Sequence, residues 1–552
     1  MIFLIRFILP ILFVCCLFTA PVNAIDSGRF SSSVPASTIT HAQAWTPLSA
    51  RLIIEFYATY SPSQPLWHEV QARALLNLAI ASQDEGFNPD DFHATAIAQL
   101  LLSGTFNRFV IPERIDADLL LSDALVRYIH HHRYGKYDPK IIRSCLAVRD
   151  AANAELIKAD MAASLFAPDL SSWLSTHLPR PFFYTQLVEV YQRYRLAIAN
   201  GFGAPIPNST ALALGQHDAR LPAIRARLAL LDGEPLPSHT NAQVYDDSLI
   251  KRIKQFQRRS GLTADGIIGA RTLAALNVSL PKILTKIAAN LERMRWLYND
   301  LSSDFLFVDI AQFQLHLVQN NQTVWTTAVV VGATDSPTPM LRDDLEHVVF
   351  NPTWIVPPSI QRTMQTVNQK QYQVFDRRTG QRVNQRHVSN TERYRVVQVP
   401  GDKNALGRVK FIFPNHLAVY LHDTPAKHLF KKTRRDFSHG CVRVEQPLEL
   451  ARRVLQSHSG WNTTHITEVL ERGRTRHVQL PQHLPVVLYY LTVFANTHRH
   501  LSFRPDIYQQ DAALIAQLAQ SAAPPRLIFA PSPTDVQSLP QSAPIQELEE
   551  SI

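Results

Sequence analysis

Residues 420–444 read YLHDTPAKHLFKKTRRDFSHGCVRV, and they decide how the rest of the chain is interpreted. A strand-like run from Ala418 to Leu421 leads into His422. Sixteen positions after His422 come Ser438-His439-Gly440-Cys441. Cysteine catalysis needs a thiolate, an imidazole to make it and shuttle protons, and backbone donors for an oxyanion. A free thiol has a pKa of about 8.5, and a neighbouring imidazolium lowers it. Glycine just before the nucleophile lets the backbone turn tightly and aim amide N–H groups at a carbonyl. Lys431, Lys432, Arg434, Arg435 and Arg443 crowd the same stretch and would favour the thiolate. The alternative is a buried structural cysteine beside a chance histidine. The His-Gly-Cys run and the strand-end His422 weigh against it.

Working outward, residues 301–495 read as mostly β. Phe305 to Ile310, Gln314 to Val318 and Val324 to Val331 alternate, with Gln319-Asn320-Asn321-Gln322 as a hairpin turn. Further strands are expected at Val348 to Phe350, Val409 to Phe413, Ala418 to Leu421 and Val486 to Val493, with helices over 447–456 and 464–472. Residues 359–395 are a Gln/Arg/Asn-rich insertion, of the kind that often forms a lid. Upstream, Pro281 to Tyr298 is a connector helix. Before it, Asp247 to Thr263 predicts a helix with Ile250, Ile253, Phe256 and Gln257 on one face, ended by Gly261. Asp265-Gly266-Ile267-Ile268-Gly269 and a second helix, Ala270 to Leu276, follow. This spacing resembles the helical peptidoglycan-binding domain of exported wall enzymes; a generic three-helix module is the alternative. Residues 45–239 are helical, show no convergent polar cluster and read as a scaffold. His130-His131-His132 invites a metal reading. Consecutive helical residues point in different directions, so a solvated run is expected.

The chain has 552 residues, 46% hydrophobic and 18% charged, which excludes a disordered or fibrous chain and suggests several domains. Lys and Arg number 55 against 46 Asp and Glu, a net +9 with no dense basic tract, so nucleic acid is not an expected partner. An acidic polymer such as a cell wall suits the same charge. There is no G-x-G-x-x-G or P-loop, no H-E-x-x-H and no Cys-x-x-Cys, so neither a cofactor nor a metal is expected. Residues 1–24 carry Arg6, an apolar run and Val22-Asn23-Ala24, the pattern of a cleaved secretory signal. The run from Phe7 to Ala20 falls short of the roughly 20 residues that span a bilayer. An uncleaved anchor is the rival; a lipoprotein signal at Cys15 is disfavoured by Val14. No later stretch is long and apolar enough to cross a membrane. Of four cysteines, Cys15 and Cys16 leave with the signal, so Cys145 and Cys441 remain. Cys441 is expected to be free and Cys145 a buried inert thiol.

The run H-x(15)-S-H-G-C-V-R looks like the signature of the L,D-transpeptidase (YkuD-type) catalytic domain. Val349-Phe350-Asn351-Pro352-Thr353-Trp354-Ile355-Val356-Pro357-Pro358, Asn404-Ala405-Leu406-Gly407-Arg408 and Leu421-His422-Asp423-Thr424-Pro425 are similar to its large periplasmic, multi-module subgroup. The resemblance implies a multidomain α+β chain: a signal peptide (1–24), linker (25–44), helical scaffold (45–239), peptidoglycan-binding module (240–280), connector helix (281–300), mostly-β catalytic domain with an inserted lid (301–495, lid about 359–395), C-terminal extension (496–520) and disordered tail (521–552). It implies Cys441 as nucleophile, His422 as proton donor and acceptor, His439 as support and the Gly440 backbone as oxyanion donor. Ser438, Trp354 and Arg443 fall on the substrate side; Arg443 either binds a carboxylate or braces its loop. His428 is a loop histidine. The implied reaction is 3→3 cross-linking of peptidoglycan stem peptides in the periplasm, alongside other cell-wall synthesis enzymes. L,D-carboxypeptidase, lipoprotein anchoring and an inactive wall-binding protein are the alternatives.

Overall fold

The computed structural model describes residues 47–60, 66–107, 111–139, 153–180, 182–201, 204–234, 241–296, 301–495 and 499–520. The signal, the linker, Cys145 and the tail from 521 lie outside the described residues. Among the described residues, no helix is long and apolar enough to cross a membrane.

The N-terminal part is helical, from Pro47–Tyr60 to Leu221–Asp232. The helix Ala154–Leu165 starts where the Asn153 side chain accepts from the N–H groups of Glu155 and Leu156, satisfying donors that a helix start leaves open. Two sequence expectations fail here. His130, His131 and His132 are buried rather than solvated. From Leu121 to its end every residue of their helix, Ile111–Tyr134, is buried, so pointing in different directions does not bring them to water. His132 donates from Nδ1 to the Tyr128 carbonyl at 2.7 Å, and its ring packs on Phe87. The scaffold also holds a convergent polar cluster. Glu85 accepts from Arg180 at 2.6 Å and from the Tyr184 hydroxyl at 2.7 Å, and Arg295 of the connector stacks on Phe87 at 3.8 Å. This buried cluster ties the scaffold to the connector. Among the described residues, no group of three His, Cys, Asp or Glu could hold a metal.

The next module matches its periodicity. The helix Asp247–Arg259 is capped by Asp246 and buries Leu249, Ile253, Phe256 and Gln257; Ile250 is only partly covered. Gly261, at φ 70°, follows its end. Buried Gln257 donates to Asp265 at 2.8 Å and accepts from the Gly266 N–H at 2.9 Å, which fixes the Asp-Gly turn before Ala270–Leu276. The connector Leu280–Arg295 follows.

The region from residue 301 onward is built from β1 (Phe305–Asp309), β2 (Gln314–Gln319), β3 (Gln322–Gly332), β4 (Leu341–Phe350), β5 (Trp354–Ile355), β6 (Tyr372–Asp376), β7 (Arg382–Val383), β8 (Tyr394–Gln398), β9 (Val409–Ile412), β10 (Leu421–His422), β11 (Asp436–Ser438), β12 (Val442–Val444) and β13 (Arg476–Tyr489). The main sheet runs β11-β3-β12-β10-β9-β4-β13-β1-β2, and β2 also pairs with β3, so the sheet closes on itself. Asn320 and Asn321 sit at φ 50° and 59°, the two positive values that a tight hairpin needs. The strand expected over 418–421 shrinks to β10. Ala418 is left-handed, and the Asn415 side chain accepts from the N–H groups of Leu417 and Val419, which holds that run in a turn. β4 begins earlier and β13 is longer than expected; a register shift between Gln479 and Leu484 absorbs an irregular stretch. The insertion forms its own four-stranded sheet, β5-β8-β6-β7, around Val356, Val374 and Val396. Residues 499–520 complete the domain: the Tyr508 hydroxyl donates to the Gly332 carbonyl at 2.7 Å.

Candidate active site

The site is laid out by three neighbouring strands. β10 pairs in parallel with β12, Leu421 beside Val442 and His422 beside Arg443, while β9 places Lys410 opposite His422. Side chains alternate along a strand, so Leu421, Val442 and Phe411 share one face and are buried in the core. Lys410, Tyr420, His422, Cys441 and Arg443 fall on the other face. The resemblance named His422, Cys441 and Arg443 there; Lys410 and Tyr420 were not anticipated.

His422 is buried, and its Nδ1 lies 2.5 Å from the Asp423 carbonyl oxygen. A carbonyl only accepts, so Nδ1 carries the proton and Nε2 keeps its lone pair. Burial, with Arg443 next in weight, drives its pKa down to about 3. Asp423 locks the strand end. Its carboxylate accepts from the Arg408 N–H and the Thr424 N–H, each at 2.7 Å. Gly407 sits at φ 61°, where a Cβ would run into that carboxylate. The Asn-Ala-Leu-Gly-Arg and His-Asp-Thr-Pro motifs are thus two halves of one brace.

Cys441 is half-buried and a free thiol. Its Sγ donates to the Ala418 carbonyl at 3.7 Å, and among the described residues it makes no hydrogen bond to His422 in this state. Burial pushes the thiol up, against the expectation that surrounding basic residues would favour the thiolate. Lys431, Lys432 and Arg434 are exposed, and Arg434 pairs with Asp436. Arg435 is spent on the Val329 and Phe313 carbonyls. The cations that bear on the sulfur are Lys410 and Arg443. Burial lowers the pKa of both. The Arg443 Nε is buried with no hydrogen-bond partner.

The loop before Cys441 is tightly made. Gly440 takes φ 108°. Its N–H donates to Ser438 Oγ at 3.2 Å, Ser438 Oγ donates to the Cys441 carbonyl at 2.5 Å, and the Gly440 carbonyl accepts from the Thr338 hydroxyl at 2.7 Å. Ser438 is therefore engaged in the turn. His439 is exposed at the rim. Trp354 stands in β5, where the lid departs, and packs against the lid core. His428 lies in a short helical turn, Lys427–Lys431.

Comparison with known proteins finds three family matches along the chain. Residues 303–475 match the family described as "L,D-transpeptidase catalytic domain", residues 51–190 a "Scaffold domain", and residues 219–276 a "Putative peptidoglycan binding domain". A curated Haemophilus influenzae protein named "Putative L,D-transpeptidase" is 30% identical over 271 residues, covering 45% of this chain and 54% of that one. The chain thus spans about half the length of this relative. An L,D-transpeptidase structure from Xylanimonas cellulosilytica is 14% identical, covers 51% of this chain and 99% of that one, and has a TM-score of 0.17. An L,D-transpeptidase from Mycobacterium smegmatis is 12% identical, covers 34% and 58%, and scores 0.17.

Proposed function

We propose that this chain, which carries an L,D-transpeptidase catalytic domain together with scaffold and peptidoglycan-binding domains, is an exported enzyme that cross-links peptidoglycan stem peptides through a Cys441 thioester. The observation that carries the reading is the single face of β9, β10 and β12. It joins a free thiol, a neutral imidazole and two cations without a carboxylate ion-pair partner among the described residues. Acyl transfer runs in two steps. His422 takes the thiol proton on Nε2 as Sγ attacks the amide carbonyl at the L centre of the third stem residue. The C–N bond breaks, His422 returns the proton to the leaving D-alanine amine, and a thioester remains. An amine of a second stem then attacks it, loses a proton to His422 and displaces the Cys441 sulfur, giving a 3→3 cross-link. Arg443 and Lys410 suit the carboxylates that such stems carry. Trp354 lies on the lid side of the substrate, and His439 supports the rim.

Cys441→Ala is expected to abolish cross-linking while leaving folding and wall binding intact. His422→Ala should cost on the order of 10²–10⁴ in rate. A carbapenem should add one drug mass to the peptide spanning Ser438 to Arg443, because a thiolate also opens a strained lactam. Mass spectrometry and product analysis with donor stems alone check this and separate transfer from hydrolysis. An adduct that persists in Cys441→Ala would identify a different nucleophile.

A further inference from the structure

We propose that Tyr508 and Thr338 are positioning residues that hold the Gly440–Cys441 peptide in the orientation that offers the Cys441 N–H to an oxyanion. The proposal rests on Cys441 as nucleophile and concerns the geometry of that same site. Tyr508 lies beyond residues 303–475, the span that matches the catalytic-domain family.

Donor chemistry fixes the direction of every bond in this chain of contacts. A carbonyl only accepts, so the Thr338 hydroxyl gives its proton to the Gly440 carbonyl at 2.7 Å and accepts from the Gly332 N–H at 2.8 Å. The Tyr508 hydroxyl likewise gives its proton to the Gly332 carbonyl at 2.7 Å and accepts from the Thr338 N–H at 3.1 Å. Tyr508 and Thr338 thus engage both polar groups of Gly332, and Thr338 passes the hold on to Gly440. A Cβ at Gly332 would run into the Ser336 carbonyl and the Thr338 nitrogen, so the close approach needs glycine. Tyr508 is itself set by Tyr490. The Tyr490 hydroxyl accepts from the Tyr508 N–H at 2.9 Å and donates to Asp506 at 2.7 Å, and the two rings stack at 5.0 Å. Thr338 and Tyr508 are both buried, so water does not compete for these bonds.

What is held is one peptide plane. A trans peptide points its C=O and its N–H in opposite directions. With the Gly440 carbonyl drawn to Thr338, the Cys441 N–H faces away from Thr338. Gly440 sits at φ 108°, a region that glycine reaches without strain. The residue itself therefore does not stop this peptide from turning over, and the Thr338 hydrogen bond does. The Gly440 N–H is spent on Ser438 Oγ, whereas the Cys441 N–H has no acceptor among the described residues. A carbonyl attacked by Sγ develops its negative oxygen beside the amide of the attacking residue, and a donor already in place there costs no reorganisation.

The test compares two reactions of Cys441 in the full chain, each read by the mass of the peptide that contains it. Iodoacetamide adds at a saturated carbon, expels iodide and forms no oxyanion. A carbapenem adds at a carbonyl: Sγ bonds the carbon, the ring C–N bond opens, and the nitrogen takes the thiol proton by way of His422. Thr338→Val should slow acylation about 10–10²-fold, less than the roughly 10²–10³ that outright loss of an oxyanion donor costs, and leave alkylation within about twofold. Thr338→Ser keeps the hydroxyl and should keep the wild-type rate. Tyr508→Phe should slow acylation about two- to tenfold, the worth of one hydrogen bond. It should add nothing on top of Thr338→Val, through which it acts. Because it loses a single oxygen, Tyr508→Phe carries the test alone if Thr338→Val fails to fold. Acylation at the wild-type rate in these variants would overturn the proposal. So would a parallel loss of both reactions, which is what mere loosening of the fold gives. A wild-type chain that alkylates but never acylates would sink the acyl-transfer reading as well; unchanged variants of a chain that acylates sink the positioning alone.

Discussion

His422 shows how a residue's surroundings select its chemistry. Its neighbours within the site are Arg443, Lys410 and Lys427, all cationic, and it is buried, so the imidazole refuses a proton down to about pH 3. The thiol beside it is pushed the other way. Thiol and imidazole therefore share one proton across a wide range. Acylation by a donor stem is expected to hold its rate as pH falls from 8 to 5; stopped-flow acylation that loses rate around pH 6.5 would mean an ordinary imidazole. The depressed value has a cost in stability. Below about 6.5 the unfolded imidazole gains a proton that the folded one declines. Its contribution is present above that pH and lost as pH falls toward about 3. Cys441 and His422 were legible because their motif is local and chemically specific. Lys410 and Tyr420 were not, since they are ordinary strand residues until the register of β9, β10 and β12 is known. The one signal was alternation: Tyr420 stands two before His422, and a side chain two positions away on a strand shares its face.

Among the elements, the lid is the most independent. It leaves and returns through the paired strands β5 and β8, Trp354 opposite Gln398, and it has its own small core. The main sheet uses no strand from it. Replacing residues 357–395 by a short turn should leave the melting temperature within a few degrees and Cys441 still open to alkylation. The ratio of hydrolysis to transfer should rise, because water would then compete freely for the thioester. A variant that fails to fold would show that the lid braces the sheet. Element by element, the sequence was most readable where one face is buried. Ala270–Leu276 appears where its periodicity placed it. It was least readable where side chains outcompete the pattern. Asn415 unpicks the strand before Leu421, and the polar run Arg342-Asp343-Asp344 hides the first half of β4.

At the scale of the whole molecule, one core joins the last scaffold helices to the sheet, while the helices before Phe183 keep a core of their own. It runs from Phe183 through the peptidoglycan-binding module to Leu514. Phe183 stacks on Phe307 at 5.9 Å and meets Tyr489 at 6.0 Å, so a helix before the module packs on the outside of the catalytic sheet. Arg293 of the connector pairs with Asp511 at 2.7 Å. Phe183→Ala should cost about 3–5 kcal/mol and split a single urea transition into two. One unbroken transition at the wild-type midpoint would mean that the scaffold and sheet are not energetically joined. Two of the strands that carry the site, β10 and β12, are among the shortest in that sheet. β10 has two residues and β12 three, and β12 pairs with β3 across more than 100 positions, Arg443 beside Val330. Loop closure of that span must be met before such brief ladders return any free energy, so they form after the helices and the hairpin β2–β3. Until those strands close, the sulfur is an ordinary thiol with no imidazole at hand. The proposed acyl-transfer chemistry therefore waits on the briefest ladders of the fold and is silent in a nascent chain.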